Sequence, residues 1–147
     1  RFERGTPAFE LLAGITAAID WLASLTDDGG SRRDRLVAAF TAAEDHLAGL
    51  LRRTLDGLAT IDGVRVLGAA RSRTPTLSFV LDGQTPAAVS HHLARRHVAV
   101  WDGDNYAYEL MSRFRLAETG GAVRASLVLY NTAEDVDRLL EALSELG

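Results

Sequence analysis

Apolar residues recur along this 147-residue chain with two different periods, and the change of period divides it. Phe9, Leu12, Ile15, Ile19 and Leu22 follow helical spacing, which predicts a helix from residue 7 to about 25 with one apolar face. Thr6-Pro7 reads as its start, with Thr at the N-cap and Pro at the first helical position, where its missing N–H does no harm. Asp27-Asp28-Gly29-Gly30-Ser31 reads as a loop, with Ser31 as the next N-cap. Leu36, Phe40, Ala43, Leu47, Leu51, Leu55 and Leu58 then mark a second helix to about Thr60. At 1.5 Å per residue it is about 40 Å long, more than a small domain needs for itself.

After Asp62-Gly63 the pattern becomes extended. Val64 to Leu67 and Thr76 to Leu81 read as strands, joined by the polar connection Ala70 to Pro75. Asp82-Gly83 turns the chain, and Thr85-Pro86 repeats the helix-start signal for a helix to about Arg96. Val98 to Trp101 reads as the next strand, residues 106 to about 113 as a short helix, and Val123 to Tyr130 as a last strand after Gly120-Gly121. Thr132 to Asp135 is close to a capping box, and Val136, Leu139, Leu140, Leu143 and Leu146 form the buried stripe of a final helix. Strands alternating with helices argue an α+β fold: a mostly antiparallel sheet covered by helices, preceded by two helices.

Composition narrows the classes. A hydrophobic content of 47% and a charged content of 24% are those of a globular domain with a real core. The net charge of −4, with acids and arginines interleaved, leaves no electrostatic footprint for nucleic acid. No apolar run approaches the ~20 residues of a membrane-spanning helix, and the chain reads as cytoplasmic. It has no cysteine, which removes disulfides, thiolate metal sites and thiol chemistry together.

One residue is out of place in the last strand. Arg124 sits among Val123, Ala125, Leu127 and Leu129, and a guanidinium does not lose its charge on burial. It must reach an edge, a carboxylate partner or an anionic ligand, and its fork suits a carboxylate gripped by two parallel hydrogen bonds. The loop Trp101-Asp102-Gly103-Asp104-Asn105-Tyr106-Ala107-Tyr108 is the richest in functional side chains. Its Asp-x-Asp lacks the other ligands of a calcium loop. Asn105 and Tyr106 are candidates to line a substrate pocket; a Tyr packed under the sheet is the plain alternative. His91, His92 and His97 read as surface residues, since adjacent helical positions diverge by about 100°. His46, with Glu44 and Asp45, reads as part of a solvated face.

Val-Arg-Ala-Ser-Leu-Val-Leu-Tyr-Asn-Thr-Ala-Glu-Asp-Val-Asp-Arg-Leu, from Val123 on, resembles the C-terminal strand and helix of the class V aminotransferases, which include the cysteine desulfurases and their desulfurase-like relatives. Arg1-Phe2-Glu3-Arg4-Gly5-Thr6-Pro7-Ala8-Phe9-Glu10 resembles a second motif of that family. The resemblance implies dependence on pyridoxal phosphate and an amino-acid substrate, with Arg124 anchoring the substrate carboxylate. It also implies that Thr6, with Gly5 beside it, meets the cofactor phosphate of the neighbouring subunit of a homodimer. Residues 1–30 would then be the tail of the large cofactor-binding domain, 31–60 the long interdomain helix, and 61–147 the small C-terminal domain.

Two departures matter. All 16 basic residues are arginine, so this chain offers no lysine for the Schiff base by which such enzymes hold the cofactor. The start, without Met and already inside a motif, favours a portion of a longer enzyme, inactive alone. In the desulfurases the loop after the 98–101 strand carries a sulfur-accepting cysteine, and here it has no thiol. The expectation is therefore a desulfurase-like enzyme that is not itself a desulfurase, with transamination, elimination and racemisation all open. The alternative is a free-standing, non-catalytic ligand-binding or dimerisation module in which Arg124 serves a structural ion pair.

Overall fold

The structure, a computed structural model, describes residues 5–26 and 29–147; residues 1–4 of the N-terminal motif and Asp27-Asp28 of the first loop lie outside them. The elements are α1 (Phe9–Leu22), α2 (Arg32–Leu58), β1 (Val64–Leu67), β2 (Thr76–Leu81), α3 (Pro86–Arg95), β3 (Trp101–Gly103), α4 (Tyr108–Arg113), a 3-10 turn (Ala117–Thr119), β4 (Ala122–Ser126) and α5 (Ala133–Ser144). They form two compact units, Arg1–Asp45 and His46–Gly147, with the division falling inside α2.

In the N-terminal unit α1 begins at Phe9, and its N-cap is Ala8, which offers no side-chain hydrogen bond. Thr6 therefore does not cap this helix, contrary to the sequence expectation. No residue of α1 is buried, so nothing draws its start back to the Thr-Pro pair. The start of α2 matches expectation: the Ser31 N–H donates to Asp34 Oδ2 (2.9 Å) and the Asp34 N–H donates to Ser31 Oγ (3.2 Å). These reciprocal bonds satisfy two N–H groups that a helix start leaves unpaired.

The second unit holds a four-stranded antiparallel sheet in the order β1-β2-β4-β3. β2 and β3 thus run in the same direction on either side of β4, linked by the α3 crossover. Along β2, Leu77, Phe79 and Leu81 are buried and Thr76, Ser78 and Val80 only partly so. This period-2 alternation defines a core face, where Leu77 pairs with Ala125 and Phe79 with Val123. Leu51 and Leu58 of α2, Val89 and Leu93 of α3, and Leu139, Ala142 and Leu143 of α5 complete that core. Phe79, Leu58, Leu93 and Leu143 are fully buried, each contributing about 1.5–3 kcal/mol by its removal from water. Thr54, the one buried polar residue among the described residues, donates its hydroxyl to the Leu50 carbonyl (2.8 Å). The Arg53 fork meets both oxygens of Asp137, tying α2 to α5.

Three boundaries differ from the sequence reading. Residues 98–100 are not ladder strand: the chain leaves α3 through His97 at φ 59°, and pairing with β4 begins only at Trp101. β4 ends at Ser126 rather than Tyr130: opposite Leu127 stands Pro75, which accepts the Leu127 N–H (2.8 Å) but has no N–H to return, and the Val128 N–H then goes to Asn131 Oδ1 (2.8 Å). α4 starts at Tyr108, not 106, since Asn105 and Tyr106 both take left-handed backbone conformations. His91 and His97 are exposed as expected, but His92 is half-buried, its Nε2 2.9 Å from the Ala142 carbonyl.

Candidate functional site

The sheet face turned away from the core carries the candidate chemistry. Register sets one row across all four strands: Leu67 opposite Ser78, Ser78 opposite Arg124, and Arg124 opposite Trp101. Arg124 is thus central on this face, half-buried, with a hydroxyl on one side and an indole on the other. Neighbouring rows grade its surroundings. Toward one end Thr76 and Ser126 share a hydroxyl contact at 3.1 Å. Toward the other, Val80, Ala122, Met111 and Leu116 form a small apolar cluster under α4.

The five ion pairs among the described residues do not include Arg124. The guanidinium stays charged, and its half-burial strengthens any pairing with an anion relative to bulk water. Sequence reasoning found Arg124 but missed its neighbours. Ser78 carried a signal, as a polar residue alternating within an apolar strand. Trp101 gains its place only through register.

The loop after β3 is held by backbone contacts. Asn105 Nδ2 donates to the Gly103 carbonyl (3.2 Å) and to the Ala122 carbonyl (3.4 Å), bridging the end of β3 and the start of β4. Asn105 Oδ1 is buried without a hydrogen-bond partner among the described residues. The Tyr106 N–H donates to Asp104 Oδ1 (3.0 Å), so the turn is closed by an aspartate side chain. Tyr106 itself is 94% exposed, which removes the reading of a Tyr packed under the sheet. Gly121, at φ 88°, completes the joint: a Cβ there would strike the Gly103 carbonyl. Gly121 is what allows the two backbones to meet.

Gly5 and Thr6 are both exposed, in the N-terminal unit. The Thr6 hydroxyl does not cap α1, whose first turn carries the carboxylate of Glu10. Of the larger cavities, one of about 360 Å³ lies where residues 98–100 diverge from residues 125–128. Another, of about 720 Å³, runs along α2. Neither is lined by Arg124, Asn105 or Tyr106. Among the described residues no three His, Asp or Glu side chains gather as a metal site, and no helix is long and apolar enough to cross a membrane.

Residues 1–139 match the family model described as aminotransferase class-V. The chain is 38% identical over 144 residues to a probable cysteine desulfurase of Pseudomonas putida, covering 98% of this chain and 31% of that protein. It is 39% identical over 142 residues to a probable cysteine desulfurase of Pseudomonas aeruginosa, covering 97% and 31%. Among solved structures it superposes on the cysteine desulfurase CsdA of Escherichia coli with a TM-score of 0.76 at 28% identity, over 97% of this chain and 31% of that one. It also superposes on the apo cysteine desulfurase of Thermococcus onnurineus with a TM-score of 0.80 at 26% identity, over 99% and 33%. The chain therefore spans about a third of the length of these relatives.

Proposed function

This chain belongs to the class V aminotransferase family, and on that premise we propose that it is the C-terminal portion of a pyridoxal-phosphate-dependent enzyme acting on an amino acid. In this reading residues 1–30 are the tail of the large domain, 31–60 the interdomain helix, and 61–147 the small domain that grips substrate. A cytoplasmic homodimer is the setting it implies.

The observation that carries it is Arg124: half-buried at the centre of the outer sheet face, flanked by Ser78 and Trp101, and in no ion pair among the described residues. A guanidinium so placed accepts a carboxylate in two parallel hydrogen bonds and fixes the orientation of the attached α-carbon. Pyridoxal phosphate, when bound, supplies the electron sink for bond cleavage at that carbon. Thr6, with its hydroxyl unused by α1, would hold the cofactor phosphate from the neighbouring subunit, with Gly5 giving close backbone approach. Asn105 holds the loop that would line the substrate site, and Tyr106 shields its edge. The anchoring lysine is supplied from outside this stretch, because the chain has none. With no cysteine here, a persulfide on this loop is not part of the chemistry.

The test uses the complete enzyme with Arg124→Ala and Arg124→Lys. Titrating the cofactor absorbance with amino acid should show roughly 2–5 kcal/mol of lost affinity for Ala, the usual cost of stranding one member of a desolvated charge pair. Lys should restore only part, because a point charge cannot make both bonds. Cofactor retention and the melting temperature should change little. A melt that collapses while the amino-acid titration is unchanged makes Arg124 scaffolding and overturns the reading.

A further inference from the structure

The cavity of about 720 Å³ between α2 and the Gly68 to Arg73 connection is rich in hydrogen-bond donors and poor in side-chain acceptors. Arg52 comes from the helix wall, and Arg71 and Arg73 from the loop wall, against the single carboxylate of Asp56. Three guanidinium charges against one carboxylate leave two net positive charges, on a chain whose net charge is −4. Neither the three arginines nor Asp56 enter an ion pair among the described residues.

The loop wall adds neutral donors. The N–H groups of residues 69–73 donate to no protein acceptor among the described residues, and Ser72 brings a hydroxyl to the same wall. Gly68, at φ 80°, turns the chain out of β1, and the Arg73 guanidinium closes the loop by donating to the Gly68 carbonyl (2.9 Å). Arg73 is half-buried, whereas Arg52 and Arg71 are exposed and keep all their N–H groups for a ligand. Unpaired backbone N–H groups beside guanidinium forks are the donor set that binds an oxyanion.

We propose that this cavity binds a phosphate group, free or as the monoester of a small molecule. A phosphate monoester carries about −1.5 to −2 charge near pH 7 and three strong acceptor oxygens, which matches the two net positive charges. Its oxygens can take donors from both walls, where a carboxylate with two oxygens and one charge leaves a guanidinium unmatched. The volume exceeds that of phosphate alone and lies within the roughly 300–1,000 Å³ of small-molecule pockets, which leaves room for an esterified group. The like charge of Asp56 keeps the phosphate with the loop arginines, and its carboxylate accepts a hydroxyl of the organic part.

The probe is glycerol 3-phosphate, with glycerol as its uncharged twin and inorganic phosphate as the bare group. Each is titrated by calorimetry into the complete enzyme with its cofactor bound, so that the cofactor's own phosphate site is filled. Glycerol 3-phosphate should bind saturably and more weakly as salt rises, and glycerol should not bind. R52E/R71E should weaken binding about tenfold or more, R52Q/R71Q less, and the charge-matched control R33E/R95E should leave it unchanged. All four arginines are exposed, and a thermal melt confirms that the variants fold. Tighter binding of glycerol 3-phosphate than of inorganic phosphate assigns the cavity to a phosphorylated molecule; equal or weaker binding assigns it to free phosphate. The proposal is overturned if neither phosphate binds, if acetate competes as well as phosphate, or if R52E/R71E binds as well as wild type. An equal loss in R33E/R95E overturns it too, because the binding is then a general effect of charge.

Discussion

The two units carry the same helical apolar spacing and bury it to opposite extents. In the N-terminal unit Phe9, Leu12, Ile15 and Phe40 are between 50% and 66% exposed, and α1 buries no residue at all. In the C-terminal unit the same stripe continues along α2 through Leu51 and Leu58, and Leu58 is wholly buried against sheet and helix. Periodicity states that a face is apolar; it does not state what covers it. An apolar surface on the scale of α1 and the first half of α2 marks an interaction site.

The largest expected contrast comes from two phenylalanines. Phe79→Ala empties a wholly buried site between Val66 and Val123 and should cost about 3–5 kcal/mol. Phe40→Ala, at a 54% exposed position, should change stability by less than about 1 kcal/mol while lowering self-association. Urea unfolding followed by circular dichroism, beside light scattering, measures both. Equal losses at the two positions would mean that the N-terminal stripe is covered after all.

Two glycines sharpen the contrast next. Gly121→Ala combines a positive φ with a clash against the Gly103 carbonyl, and should cost about 3 kcal/mol. Gly14, inside α1, has nothing within 4 Å of an added Cβ. Gly14→Ala should therefore stabilise α1 by up to about 1 kcal/mol, read as increased helicity and a higher urea midpoint.

The smallest effect concerns the helix starts, one in each unit. The Ser31 hydroxyl and N–H hold the Asp34 carboxylate below its ordinary pKa. The Thr132 N–H, then the Asn131 side chain, do the same for Asp135. A depressed folded pKa contributes stability that is complete above the ordinary carboxylate value, near pH 4, and is lost as pH falls through the lowered one. Melting temperature should thus drop on acidification. Asp135→Asn should lower it at neutral pH and flatten the acid limb. Asp34→Asn should change mainly the helicity of the N-terminal unit. Melts of the three proteins between about pH 7 and 3 decide; an unaltered acid limb in Asp135→Asn would sink the assignment.

Much of the fold follows from local chemistry. β1 and β2 lie where alternation and flanking glycines put them, and α3 starts at Thr85-Pro86, whose hydroxyl accepts from the Ala88 N–H (3.2 Å). The identical Thr6-Pro7 signal does not cap α1. The difference is tertiary: Pro86, Val89 and Leu93 seat α3 in the core, and α1 has no such anchor.

Strand ends and site neighbours were likewise beyond local reading. A strand exists only as far as its partner exchanges hydrogen bonds with it, so β4 stops where Pro75 has no N–H to return and Asn131 takes the next N–H, and residues 98–100 stay out of the ladder. The sequence by itself determined the element types, the α+β class and the oddity of Arg124, because period and charge are carried residue by residue. Only the tertiary structure decided that Ser78 and Trp101 flank it, that Asn105 spends its amide on two carbonyls, and that Tyr106 stands in solvent. Those facts depend on register, and register is set between segments far apart in the chain.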